Sequence, residues 1–177
     1  MQTQTTWAFD PSHSEVTFKV KHLMITNVTG GFTDFNVNAE SSDESFADAK
    51  INFTAKAASI TTGNEQRDAH LTSADFFEAD KFENISFSST GIEKSSDDEF
   101  NLLGNLTIKD VTKPVKIHVE FGGVAKDPWG NLKAGFTINT KINRTDFGLN
   151  WNAALETGGV LVSEEIKIAG EIQLVKA

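Results

Sequence analysis

The stretch VTFKVK, from Val16 to Lys21, alternates apolar and polar side chains one residue at a time. Successive side chains of a β-strand point to opposite faces, so this stretch would present its valines and phenylalanine on one face. Its threonine and lysines would lie on the other face. The stretch therefore predicts a sheet with one dry face and one wet face.

The same alternation returns along the rest of the chain. It is clearest in the segments that begin near Phe35, Lys50, Ile85, Phe100, Val115, Ala134 and Ile166. Turn-forming residues separate these segments, as in TGG at 29–31, SSDDE at 95–99, KDVTKP at 109–114 and GGVAKDPWGN at 122–131. With the WAF segment near the amino terminus there are about nine candidate strands. A sheet of that size with one apolar face must fold over or close on itself, so we predict an all-β antiparallel barrel.

Two stretches break the alternation. RDAHLTSADFF, from Arg67, places Leu71, Ala74 and Phe77 at helical spacing and has possible caps at Ser73 and Asp75, which predicts one or two short helical turns. NRTDFGLNWNAALETGG, at 143–159, is too irregular for a strand and is interpreted as a loop with another helical turn. Both segments could close the mouth of a barrel.

Composition limits the classes of partner. The 177 residues fit one domain, 1–177, that is long enough to bury a core. Sixteen Lys and Arg against 25 Asp and Glu give a net charge of −9, which argues against nucleic acid and against anionic lipid surfaces. With no cysteine there is no thiol catalysis, disulfide or thiolate metal site. Fourteen Phe and 3 Trp without any Tyr indicate a dry interior that is poor in hydroxyl groups.

The chain shows no membrane-targeting segment. No apolar run approaches the ~18 residues of a membrane span, so we expect no stable membrane insertion. The amino terminus MQTQTTWAF has neither the basic nor the apolar region of a signal peptide. We therefore expect a cytoplasmic protein, or a periplasmic one if a leader was removed.

The usual catalytic and metal-binding patterns are missing from the sequence. The histidines, His13, His22, His70 and His118, form no HExxH motif and no tight metal-ligand spacing, so a metal site would require convergence of distant residues. His118 alternates with apolar neighbours and is expected to point into water. No GxSxG elbow, phosphate-binding loop or GxGxxG is present. We therefore expect no catalytic residue, no metal and no cofactor.

Several motifs together resemble the YceI-like, or polyisoprenoid-binding, family of bacteria. They are DPSHSEVTFKVKHL from Asp10, GGFTDF from Gly30, NEQRDAHLTSADFF from Asn64, ISFSST from Ile85, GNLTIKDVTKPV from Gly104, INRTDFGLN from Ile142 and VSEEIKI from Val162. Together these motifs are spread over nearly the whole chain, and their order and spacing make the resemblance specific. The resemblance implies a lipocalin-like antiparallel barrel of about eight strands with one or two short helical segments. It further implies a carrier of a long-chain isoprenoid or fatty-acyl-type lipid, and a possible homodimer.

The resemblance also implies where such a lipid would lie. The residues expected to line an apolar tunnel or cover its entrance are Phe18, Val20, Phe35, Phe53, Phe76, Phe77, Phe87, Leu102, Phe136 and Ile138. The residues expected to hold a polar head group are Arg67 and His70, with His22 and Arg144 as further candidates. An equal alternative for Arg67 and Asp68 is structural, in which they cap the helical segment and fasten it to the barrel.

Three kinds of function compete at this stage. The leading hypothesis is a protein that is not an enzyme and that sequesters, stores or transports an isoprenoid such as a quinone or polyprenyl species. The second is an enzyme that acts on an isoprenoid or another apolar molecule with His22 or His70 as its base. The third is an interaction domain whose barrel is fully packed and binds nothing.

Overall fold

The structure is a computed structural model that describes residues 4–23, 25–152 and 161–176. Within these residues the strands are β1 Thr5–Phe9, β2 Glu15–His22, β3 Thr26–Phe32, β4 Phe35–Ser41, β5 Lys50–Lys56, β6 Ile60–Thr61, β7 Asn84–Lys94, β8 Glu99–Ile108, β9 Val111–Lys126, β10 Leu132–Asn143 and β11 Val162–Lys176. The helix α1 spans Glu65–Leu71, and short 3-10 helices span Pro11–His13, Ala57–Ser59 and Arg144–Phe147. None of the helices described combines the length and apolarity needed to cross a membrane.

The strands form a closed antiparallel barrel. The order β1-β4-β5-β7-β8-β9-β10-β11 returns to its start because β1 also pairs with β11. β2 follows β1 along β11, β3 lies beside β2, and β6 lies beside β3. The first three long strands are thus each split by a bend, which gives eight long strands in all. The predicted barrel of about eight antiparallel strands is confirmed.

The bend between β1 and β2 has a local cause. The Asp10 side chain caps the 3-10 helix that follows it, accepting hydrogen bonds from Ser12 N at 3.1 Å and from Ser12 Oγ at 2.8 Å. Its other oxygen lies 2.9 Å from Lys133 Nζ on β10. The carboxylate therefore turns the chain and ties the turn to a distant strand.

The predicted turn at Thr29 to Gly31 was wrong, because these residues lie within β3. Gly30 lies directly opposite Phe18, and a Cβ placed on Gly30 would be 2.5 Å from Phe18 Cζ. The glycine permits a close approach inside the sheet, and the chain bends afterwards, at 33–34.

Both predicted helical segments contain a helix. Asn64 caps α1 by accepting a hydrogen bond from Arg67 N at 3.0 Å, whereas the predicted caps Ser73 and Asp75 lie beyond the end of this helix. The 3-10 helix at 144–147 lies in the second segment. The remainder of that segment from 153 onward lies outside the described residues.

An aromatic cluster closes one end of the barrel. Trp7 and Phe46 are fully buried, with ring centroids 4.8 Å apart. Phe46 also packs against Phe121 at 5.4 Å and Phe136 at 4.9 Å. Trp7 Nε1 donates to Ser41 Oγ at 3.1 Å, which satisfies the only polar atom of the indole. These four rings, Trp7, Phe46, Phe121 and Phe136, form the floor of the barrel.

Candidate ligand-binding site

A cavity of about 550 Å³ extends through the barrel above the floor. Its wall consists mainly of the apolar side chains that alternate inward along the strands. Near the floor it is lined by Phe100, Val119, Phe136, Ile172 and Leu174. The volume falls within the range of ~300 to 1,000 Å³ that is typical of small-molecule sites.

The polar part of the lining is concentrated at the opposite end. Among the described residues, the charged and amide side chains of the wall are Lys21, His22, Asn64, Gln66, Arg67, His70 and Arg144. They come from the end of β2, the α1 segment and the end of β10. These ends meet because β2 and β10 both run antiparallel to β11 and finish beside its start. We call this end the mouth.

The structure places nearly all of the predicted tunnel residues on the cavity wall. Those that line the cavity are Phe18, Val20, Phe53, Phe76, Phe77, Phe87, Leu102, Phe136 and Ile138. Phe35 does not line it. Phe35 begins β4 beside a bend, and its ring packs against Phe9 at 4.9 Å and Phe53 at 5.9 Å. Contact of any of these residues with a ligand stays a prediction.

Two glycines let phenylalanine rings lie against the wall. Phe18 approaches Gly30, as described above. In the same way, a Cβ on Gly104 would be 2.5 Å from Phe87 Cζ. Both rings occupy the space in which a side chain would otherwise stand. This arrangement covers the backbone with aromatic surface and leaves the centre of the barrel open.

Residues of α1 fasten the helix to Thr62, the residue that follows β6. Asp68 Oδ1 accepts hydrogen bonds from Thr62 N at 2.8 Å and from Thr62 Oγ1 at 2.6 Å. Arg67 donates from Nε to Thr62 Oγ1 and from Nη2 to Thr62 O, each at 2.7 Å. The structural role considered for Arg67 and Asp68 is therefore present in the structure. A contact between Arg67 and a head group stays a prediction.

His70 lies in an aromatic group at the mouth. Its ring packs edge-on against Trp151 at 4.7 Å and against Phe76 at 5.1 Å. His70 Nε2 and Asp75 Oδ2 are 2.8 Å apart. The imidazole thus has a carboxylate partner on one side and apolar surface on the other. We call His70, Phe76 and Trp151 the mouth cluster.

Arg144 lines the cavity and also has a structural role that the sequence did not indicate, while its contact with a head group stays a prediction. Its side chain is only 2% exposed, and burial lowers the pKa of the guanidinium. Nε donates to Ser163 O at 2.8 Å, Nη1 to Leu149 O and Trp151 O at 2.6 and 2.9 Å, and Nη2 to Val162 O at 3.3 Å. Four backbone carbonyls accept hydrogen bonds from the guanidinium, so Arg144 ties residues 149–151 to residues 162–163 at the mouth.

His22 is the predicted head-group residue with the fewest internal contacts. It ends β2, lines the cavity, and its ring forms no hydrogen bond or ion pair with any of the described residues. Sequence reasoning missed other lining residues, including Val28, Asn64, Gln66, Trp151 and Leu161. An aromatic residue inside an irregular segment, as Trp151 is, was the available signal for the mouth.

Comparison with known proteins finds a family model and a relative that both match most of this chain. A family model described as the YceI-like domain matches residues 7–174. A UPF0312 protein of Staphylococcus aureus strain N315 is 42% identical over 164 residues, which cover 92% of this chain and 93% of that protein.

Solved structures agree with this relationship. A YceI protein of Campylobacter jejuni has a TM-score of 0.77 and 34% identity, covering 89% of this chain and 90% of its own. A polyisoprenoid-binding domain from Saccharophagus degradans has a TM-score of 0.72 over 99% of this chain and 100% of its own, and at 11% identity it shows the fold alone. The family model and the Staphylococcus and Campylobacter relatives show that this chain belongs to the YceI-like domain family.

Proposed function

We propose that the cavity holds a long-chain isoprenoid, such as a quinone or polyprenyl species, or a similar long-chain lipid. The protein would sequester, store or transport this ligand. The observation that carries the proposal is the distribution of the wall, which is apolar from the floor upward and carries its charged side chains at the mouth. Burial of apolar ligand surface supplies ~25 cal/mol per Å² before ordering costs are subtracted. The name of the Saccharophagus domain supports the same ligand class.

The ligand would lie with its apolar chain toward the floor and its polar end at the mouth. His22 and Arg67 are the side chains best placed to meet that end. His22 has no competing internal partner among the described residues, and the Arg67 side chain is exposed beside the opening. A polar head needs hydrogen-bonding partners wherever it leaves water. In a lipid-retention assay, His22→Leu and Arg67→Ala should each weaken retention.

Two neighbouring residues of β3 provide a matched test of the cavity. Val28 lines the cavity, whereas Thr29 is exposed on the outer face of the same strand. Val28→Trp should fill part of the cavity and reduce uptake of an added polyprenyl alcohol by about tenfold or more, equal to a loss of ~1.4 kcal/mol in binding free energy. Thr29→Trp adds the same ring outside and should leave uptake unchanged.

The uptake experiment has a clear opposite outcome. The amount of polyprenyl alcohol that stays with the protein after gel filtration would be measured by extraction and chromatography. Circular dichroism would confirm that both variants keep the sheet. Equal uptake by Val28→Trp and the unaltered protein would contradict binding inside the cavity.

An enzyme acting on the bound molecule is the second candidate. The observation that favours it is the 2.8 Å contact between His70 and Asp75 at the cavity wall, because a carboxylate partner can orient an imidazole that acts as a base. Incubation of the loaded protein followed by mass analysis of the extracted lipid distinguishes the two. An unaltered lipid supports a carrier. A modified lipid that is not formed by His70→Asn would support the enzyme.

A further inference from the structure

Glu99, His118 and Glu120 meet on the outer wall of the barrel, outside the cavity lining. Glu99 lies on β8 directly opposite Glu120 on β9. His118 is two residues from Glu120, so both side chains point to the same face. One donor atom from each of the three side chains lies within 4.8 Å of the other two. His118 Nε2 is 3.8 Å from Glu99 Oε1.

The charges around these three residues are mainly negative, which favours attraction of a cation. Glu99, Glu120, Thr137, Glu171 and Glu15 are successive partners across five adjacent strands, so four carboxylates stand in one row. Like charges directly opposite each other destabilise a sheet. Among the described residues, no lysine or arginine forms an ion pair with any of the four. A bound cation would relieve the repulsion.

The row borders a concave part of the surface. A polar depression beside the three donors is lined by Asp98, Glu99, Glu120 and Glu171, among others. His13 also lines the depression, and it already contacts Asp10. An ion in the depression would meet the carboxylates of Glu99 and Glu120, and His118 lies two residues from Glu120 on the same strand.

The donor set indicates which cation would bind. An imidazole nitrogen with two carboxylates, and no thiolate, suits Zn²⁺ better than Mg²⁺ or Ca²⁺, which prefer oxygen ligands alone. Tetrahedral zinc at its usual ligand distances holds its donors about 3.4 Å apart. His118 Nε2 and Glu99 Oε1 are 3.8 Å apart, and no pair of the three donors is more than 4.8 Å apart. The donors therefore need to approach by about 1.4 Å at most, which rotation of the glutamate side chains can supply. Water would complete the coordination.

We propose that Glu99, His118 and Glu120 bind one Zn²⁺ ion on the outside of the barrel. No tight ligand spacing is visible in the sequence, because Glu99 on β8 is 19 positions from His118 and 21 from Glu120 on β9. The backbone of the site is held in place, because β8 and β9 are each paired with a strand on both sides. Zinc binding at this site does not depend on the cavity or its ligand, so the zinc proposal and the lipid proposal are tested separately.

Isothermal titration of the untagged protein with ZnCl₂ tests the proposal, because a histidine tag would itself bind zinc. We expect one saturable site per chain. His118→Asn and Glu120→Gln should each weaken zinc binding at least about tenfold, since each removes one of three ligands. Glu40→Gln removes the same charge from an exposed position on β4 and should leave zinc binding unchanged.

A second measurement keeps the test independent of titration heats. Added Zn²⁺ should raise the melting temperature of the unaltered protein. Glu120→Lys places a cation in the carboxylate row and should melt higher than the unaltered protein without zinc and show no response to added zinc. Absence of saturable binding, full affinity in His118→Asn, or an equal loss in Glu40→Gln would overturn the proposal.

Discussion

At the scale of single residues, the buried guanidinium of Arg144 is stabilised by backbone carbonyls and forms no ion pair with a carboxylate among the described residues. Its guanidinium donates to carbonyls on both sides of the stretch that includes 153–160. Arg144→Met should lower the free energy of unfolding by about 3 kcal/mol or more, because buried carbonyls lose their partners. Arg144→Lys keeps the charge but lacks the planar fork and should recover only part of the loss. Urea unfolding measures both changes. Stability equal to that of the unaltered protein in Arg144→Met would contradict this role.

Asp10 makes stability depend on acid pH. The Lys133 ammonium, with further hydrogen bonds from Ser12 and His13, holds the pKa of the Asp10 carboxyl well below its usual value. The folded state therefore favours the carboxylate more than the unfolded state does. This contribution is present above the unfolded pKa of about 4 and is lost as the pH falls below it toward the folded pKa.

Asp10→Asn should consequently be less stable than the unaltered protein at pH 7. The difference should shrink as the pH falls from 4 toward 2, roughly the interval below the unfolded pKa. Urea unfolding at several pH values measures it. Asp97→Asn, which removes a charge from a highly exposed turn, is the control and should show little difference at any pH. A gap between Asp10→Asn and the unaltered protein that stays constant down to pH 2 would exclude this linkage.

Residue positions could be predicted from sequence where alternation fixes the face. Phe18, Phe87 and Ile138 point inward because their neighbours are polar. Alternation predicts which face of the sheet a residue occupies, but not its position along the barrel axis. The sequence therefore could not show that Phe35 lies outside the cavity lining. The partners of Arg144 are backbone carbonyls from two segments, and no residue pattern marks them.

At the scale of elements, the pairing of β7 with β8 depends on a small residue. Gly104 lies opposite Ser89, and a Cβ there would collide with Ser88 O and with the Phe87 ring. Gly104→Ala should destabilise the protein by about 1 to 3 kcal/mol, because the backbone of β7 cannot move aside easily.

Gly91 provides the matched control for Gly104. It lies on the same strand pair, has no positive φ, and a Cβ added to it would meet nothing within 4 Å. Gly91→Ala should be neutral or slightly stabilising, since it removes backbone freedom from the unfolded chain. Thermal unfolding of both variants makes the comparison. Equal effects of the two substitutions would show that the close approach at Gly104 is unimportant.

The strands themselves were predictable, but their bends were not. Alternation locates the apolar runs, and turn residues locate most hairpins. A glycine pair inside a strand resembles a turn in sequence, so the pattern at Gly30 and Gly31 predicts a turn that the structure does not contain. The facing Phe18 ring explains the place of Gly30 in β3, and the close approach of Val16 O explains that of Gly31. The cap of α1 was also predicted at the wrong residues. Ser73 and Asp75 are typical capping residues in the same segment, but Asn64 caps the helix.

At the scale of the whole molecule, the barrel is closed by aromatic rings at one end and open space fills its middle. Protein interiors normally pack to the density of organic crystals, and voids much larger than a water molecule are few. A cavity of about 550 Å³ behind an apolar wall therefore favours an apolar occupant. The homodimer expected from the family resemblance stays a prediction, and sedimentation of the intact chain would test it.

Native mass spectrometry of the gently purified protein, followed by denaturing extraction, tests lipid binding most directly. The proposed function predicts a mass increase from about one bound isoprenoid or other long-chain lipid per chain, and the extract identifies that molecule. Removal of the lipid should lower the melting temperature, because a ligand that binds only the folded state stabilises it. Repeated preparations without any bound lipid, which also take up no added polyprenyl lipid, would contradict the proposal.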